Sequence, residues 1–202
     1  MRIGIDFDNT IVSYDALFHK VAREQNLVPP ETPLNKVAVR DHLRGIGQED
    51  RWTEMQGYVY GVRMVEALAY EGVIDFIRRA KGAGHAVTIV SHKTRHPFLG
   101  PQYDLHAAAR AWIECHLLCD DQSLLSSKNI FFELTKQKKL ARIAACGCEA
   151  FIDDLPEILL AADFPSSTAR LLFDPEEHYS DLAADGLRIF RTWRQLAEHF
   201  SA

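Results

Sequence analysis

The chain has 202 residues, enough for one sizeable hydrophobic core, or a core with a small insert. Apolar residues make up 47% and charged residues 25%, which excludes disordered and fibrous classes. With 23 Lys and Arg against 28 Asp and Glu, the formal charge of −5 argues against binding a nucleic-acid polymer. No apolar run approaches the roughly 18 residues that span a bilayer. Asp6 and Asp8 interrupt the N-terminus too early for a signal peptide, so a cytoplasmic protein with no membrane attachment is expected. The four cysteines, Cys115, Cys119, Cys146 and Cys148, lack the spacing of zinc ligands and read as small buried thiols.

In chain order, residues 3–7 read as a short buried strand and 14–26 as an amphipathic helix, broken by Val28-Pro29-Pro30. Residues 35–43 and 49–69 read as further helices. The second has an aromatic face (Trp52, Tyr58, Tyr60), and Gly57 and Gly61 inside it predict a break or a close helix contact. A helix over 71–81 ends at Gly82-Ala83-Gly84 and leads into an apolar, β-branched strand over 85–90. Then follow a helix (103–118), a strand (129–132), a helix (138–146), a strand (150–152), a helix (156–162), strands over 170–173 and 187–190, and a closing helix (193–200). The alternation after residue 71 predicts a three-layer α/β Rossmann-like core with a parallel sheet, formed by 1–13 and 71–202. The purely helical stretch 14–70 reads as a small α-helical cap inserted after the first strand.

Polar residues collect where the predicted strands end. Asp6 and Asp8 end the first strand, Ser91 follows Thr88-Ile89-Val90, and Asp153-Asp154 follow Phe151-Ile152. In an open parallel sheet, ligands bind outside the carboxyl ends of the strands. Helices that follow those strands begin on the same edge, so Lys138 or Lys139 can reach it too. No equivalent set is read at the other strand ends. Singly, each segment also fits turn or cap chemistry. Together they put four carboxylates, a hydroxyl and an ammonium on one rim. Crowded carboxylates raise one another's pKa, and a hard divalent cation relieves that repulsion; all-oxygen ligands favour Mg2+. A carboxylate left free can attack phosphorus.

Asp6-Phe7-Asp8-Asn9-Thr10 resembles the DxDxT motif of the haloacid dehalogenase-like (HAD) hydrolase superfamily, most of whose members are magnesium-dependent phosphatases. Ser91, Lys138 or Lys139, and Asp153-Asp154 resemble its second, third and fourth motifs, in the same order. The resemblance implies a HAD-like fold and hydrolysis of a small phosphorylated metabolite through an aspartyl-phosphate. Asp6 would be the nucleophile, Asp8 the general acid and then base, and Thr10 the residue that steadies the loop. Ser91 and Lys139 would hold phosphoryl oxygens, with Lys138 close behind. Asp154 would ligate Mg2+ with Asp6 and the Asp8 carbonyl, and Asp153 would act through water or by supporting a ligand. His92 and Lys93, in the basic run after Ser91, would suit a further anionic group on the substrate. Within the insert, Tyr14, Arg44, Arg51, Trp52, Gln56, Tyr60 and Arg63 are the residues through which a cap would select substrate. A phosphotransferase or mutase on the same core, and a non-catalytic phosphoryl-binding protein, fit the same motifs.

Overall fold

Six parallel strands form the main sheet of the computed structural model, which describes residues 1–119 and 122–201. The first elements are β1 (Arg2–Ile5), the two-residue β2 (Val12–Ser13), and helices α1 (Asp15–Glu24), α2 (Lys36–Gly45) and α3 (Glu49–Gly61). After a 3-10 turn at Met64–Glu66 come β3 (Leu68–Ala69), α4 (Val73–Gly82), β4 (Ala86–His92) and α5 (Leu105–His116). The chain continues with β5 (Leu118–Cys119), β6 (Gln122–Ser123), β7 (Ile130–Glu133), α6 (Lys136–Ala145) and β8 (Ala150–Asp153). It closes with α7 (Pro156–Leu159), β9 (Ala169–Phe173), β10 (Leu187–Phe190) and α8 (Trp193–Ser201).

The strand order is β10-β9-β8-β1-β4-β7, with every neighbour parallel. The expected α/β Rossmann-like core is therefore what the chain forms. The chain builds outward from β1 through β4 and β7 on one side, then through β8, β9 and β10 on the other. β1 thus stands at the topological switch point, where parallel sheets open a crevice at their carboxyl edge. Both faces are covered. On β9, Leu172 joins a cluster with Leu140 and Ile143 of α6 and with Ile158 and Leu159 of α7. Its neighbour Phe173 packs on Trp193 of α8 at 5.4 Å between ring centroids, and Trp193 meets Phe76 of α4 at 5.0 Å. Alternation along one strand serves two helical layers.

The chain divides into two compact units. One holds Met1–Val12, Ala69–Lys93 and the chain from Leu117 onward; the other holds Ser13–Leu68 with Thr94–His116. The insert bounded in the sequence at 14–70 thus shares its unit with a second segment containing α5. Two glycines of α3 carry that packing. A Cβ on Gly57 would lie 2.7 Å from the Pro97 side chain, and one on Gly61 2.6 Å from that of Tyr103. The long helix expected over 49–69 stops at Gly61, one of the two glycines at which the sequence predicts a break or a close contact, and a 3-10 turn over Met64–Glu66 follows. The cysteines also differ from expectation: Cys148 is buried, Cys119 and Cys146 are half-buried, and Cys115 is exposed. Among the described residues no helix is long and apolar enough to cross a membrane.

Candidate active site

The first of the two units carries the site. Asp6 continues β1 by one residue, its N–H donating to the Ile152 carbonyl at 2.8 Å. A tight turn follows. Asn9 adopts a left-handed φ of 56°, and the N–H groups of Ile11 and Val12 return to the Phe7 carbonyl at 3.0 and 3.1 Å. Asparagine tolerates that conformation better than most residues. The turn presents Asp6, Asp8 and Thr10 within five residues.

α6 supplies the lysine. Thr135 caps it, its hydroxyl accepting from the Lys138 N–H at 3.2 Å, so the helix begins at Lys136, two residues before the expected start. Lys138 is exposed. Lys139 shares the buried face with Leu140 and Ile143. Its ammonium donates to Asp6 Oδ1 at 2.5 Å and to Asp153 Oδ2 at 2.6 Å. The other Asp153 oxygen accepts from the Leu155 N–H at 3.0 Å, an Asx-type turn leading into α7 with Pro156 at its start. Asp154 accepts from the Thr10 hydroxyl at 3.2 Å.

Carboxylate oxygens of Asp6, Asp153 and Asp154 lie within 4.8 Å of one another, the one such ligand cluster among the described residues. Burial pushes the Asp6 carboxyl up to about 7 against the pull of Lys139, with Asp153 and Asp8 adding to the rise. Burial, and then the charges of Asp153 and Asp6, hold Asp154 well above the usual carboxylate range. Burial works against the Lys139 ammonium, yet Asp153 and Asp6 more than offset it and hold that group above the ordinary lysine range. One ammonium thus faces three carboxylates. The donor set is all oxygen and its charge is under-compensated, which is the chemistry that suits a hard divalent cation.

The remaining expected residues fall in different places. Ser91 is the penultimate residue of β4 and is 1% exposed. The β1–β4 register pairs Ile5 with Ile89, which brings Ser91 to the same edge as Asp6 and Asp8. Lys93 is buried, and its ammonium donates to both Asp8 oxygens at 2.8 Å. His92 is exposed, with Nε2 3.2 Å from the Leu134 carbonyl. In the second unit, Tyr14 and Trp52 are buried. Tyr60 accepts from Lys36, Arg44 pairs with Glu49, Arg51 with Glu54, and Arg63 with Glu24 and Glu66.

One participant and one further buried carboxylate escape a sequence reading. The Trp193 indole N–H donates to the Thr10 carbonyl at 3.2 Å, so α8 pins the turn. A tryptophan opening an amphipathic helix signals only packing. Asp174 is a lone carboxylate at another strand end. It follows β9, is buried, and its two oxygens accept from the His178 and Tyr179 N–H groups at 2.9 Å each. The rule that found Asp6 and Asp153 (a carboxylate behind an apolar strand) also applies to Asp174, but this one is committed to backbone.

The core has the fold of solved HAD-superfamily hydrolases. An HAD family hydrolase from Deinococcus radiodurans, crystallised with bound phosphate and sodium, superposes with a TM-score of 0.60 at 14% identity, over 99% of this chain and 94% of its own. An HAD hydrolase of family IA, variant 3, from Entamoeba histolytica gives 0.58 at 13%, over 96% and 94%. A protein described as a dehalogenase gives 0.57 at 13%, over 98% and 96%. Identity this low carries the fold and not the substrate. No protein-family model matches the sequence, and no curated protein does.

Proposed function

We propose that this protein is a magnesium-dependent phosphatase acting on a small phosphorylated metabolite. The observation that carries the reading is the set of three clustered carboxylates held against one buried lysine. Displacing a halide from carbon calls for one nucleophilic carboxylate; two further buried carboxylates beside it are the expected cost of also holding a cation. Asp6, Asp154 and the Asp8 carbonyl would hold Mg2+, with Asp153 acting through water or by supporting a ligand. When bound, the ion would neutralise these carboxylates and the charge of the phosphoryl group.

In this reading an Asp6 oxygen attacks phosphorus and the bond to the leaving oxygen breaks, while Asp8 delivers a proton to that oxygen. Asp8, now a carboxylate, takes a proton from a water whose oxygen attacks phosphorus. Phosphate leaves and Asp6 is regenerated. Lys139 and Ser91 are the donors for phosphoryl oxygens, and Thr10 steadies the turn. The exposed His92 and Lys138 suit a second anionic group on the substrate. A cytoplasmic metabolite is the substrate class we favour, with no part for a nucleic-acid polymer or a membrane. The test is a panel of nucleotides, sugar phosphates and phospho-acids assayed for free phosphate with Mg2+. Turnover that survives in Asp6→Asn or in excess chelator sinks the mechanism. Phosphorus that always ends on an acceptor and never as free phosphate makes the protein a phosphotransferase.

A further inference from the structure

Lys93 is a buried lysine that the catalytic sequence above does not employ. Its side chain is 5% exposed, whereas that of its partner Asp8 is 21% exposed. The lysine is thus the more deeply buried of the two, its ammonium 5.8 Å over the Phe7 ring, and the carboxylate is the partner open to solvent. Both oxygens are held at the same 2.8 Å. The lysine is itself rigidly based: its backbone N–H donates to the Glu133 carbonyl at 2.9 Å, extending the β4–β7 ladder past the end of β4. Asp8, by contrast, sits on a turn beside the left-handed Asn9, and its two oxygens accept from Lys93. A proton donor loses most of its advantage when displaced by about 1 Å.

We propose that Lys93 is the positioning residue for proton transfer: it fixes the Asp8 carboxyl toward the leaving oxygen and does not bind the substrate phosphoryl group. The inference rests on the phosphatase reading above. It predicts a defect that depends on the leaving group. A misplaced proton donor matters little for an oxygen that departs readily as an anion and greatly for an alkoxide.

The experiment measures kcat/KM with Mg2+ for p-nitrophenyl, phenyl and ethyl phosphate, because that ratio ends at departure of the leaving group. Lys93→Met should lose about 100-fold on ethyl phosphate and no more than about threefold on p-nitrophenyl phosphate. Lys93→Arg, which keeps a two-pronged donor, should recover most of the ethyl phosphate rate and stands in should the methionine variant not fold. In an Asp8→Asn background, Lys93→Met should cost nothing further, since a residue that acts through Asp8 has nothing left to position. An equal loss on all three esters overturns the proposal and makes Lys93 a phosphoryl ligand. Unchanged kinetics make it a structural ion pair. A wild-type protein that releases phosphate from none of them removes the phosphatase reading itself, and this inference with it.

Discussion

Lys139→Met removes the ammonium and keeps nearly the same side-chain volume. Lys139 is 1% exposed and compensates Asp6 at 2.5 Å and Asp153 at 2.6 Å. Breaking a buried pair by deleting one partner costs about 3–5 kcal/mol, because the remaining charge is left without compensation. With a urea dependence of about 2 kcal/mol per molar, a loss of about 4 kcal/mol moves the unfolding midpoint down by about 2 M. The measurement is equilibrium unfolding in chelator at neutral pH, followed by tryptophan fluorescence. Two controls sharpen it. Lys138→Met, on the exposed neighbour, should stay within about 0.5 kcal/mol of wild type. Adding Mg2+ should return part of the stability lost in Lys139→Met, since a cation bound by the same carboxylates supplies the missing charge. A midpoint shift below about 0.5 M in chelator would refute the claim that this lysine holds the acidic cluster together.

Asp6→Asn should abolish phosphate release, by at least ~1,000-fold in kcat, while leaving the urea midpoint in chelator equal to or above wild type, since ionised Asp6 is buried at a cost. Folding raises the Asp6 carboxyl from its ordinary value near 3.8 to about 7, so its stabilising contribution is complete below pH 3.8 and is lost as pH rises through about 7. Relative to Asp6→Asn, the metal-free wild type should therefore lose melting temperature between about pH 4 and 7 and level off above that, and the increment gained on adding Mg2+ should grow over the same range; a flat difference contradicts the raised carboxyl. Thr10→Val deletes the hydroxyl that donates to Asp154 and should raise the Mg2+ concentration for half-maximal activity by roughly tenfold, read from a metal titration. Trp193→Phe removes the donor to the Thr10 carbonyl and should cost about 1–3 kcal/mol in urea unfolding, with a lower kcat on every substrate; unchanged kcat would detach α8 from the catalytic turn.

The sheet was legible because its strands are apolar on both faces. Ile3 and Ile5, Ile89 and Val90, and Phe151 and Ile152 are all fully buried, and each pair belongs to a short apolar run ended by a polar residue. Boundaries failed where a single hydrogen bond decides them. The Thr135 cap moves α6 two residues upstream of its apolar pattern. Two-residue strands such as β2, β3, β5 and β6 are too short to show any period. α5 was legible as a helix, yet its amphipathic pattern reports only that one face is covered and not what covers it. Its placement with Ser13–Leu68 comes from contacts such as the Trp112 indole N–H on the Ala67 carbonyl at 2.9 Å, between residues 45 positions apart.

Which residues reach the rim follows from where strands end; which charges pair there follows from strand order, and strand order has no local signal. β1 lies between β4 and β8, so its two aspartates meet different cations. Lys93, leaving β4, meets Asp8, while Lys139 from α6 meets Asp6 together with Asp153 from β8. Read from sequence, Lys93 is a basic loop residue suited to the substrate, and Lys138 and Lys139 are nearly equivalent. The fold separates all three. One lysine is exposed, one is bound to two carboxylates, and one holds the Asp8 carboxylate by both oxygens. In that division the two aspartates of the turn acquire different surroundings: Asp6 is sealed among charges that a cation must balance, and Asp8 is half-open and held by Lys93. Nucleophile and proton donor are chemically identical side chains two residues apart, and it is their separate lysines that let one turn present both.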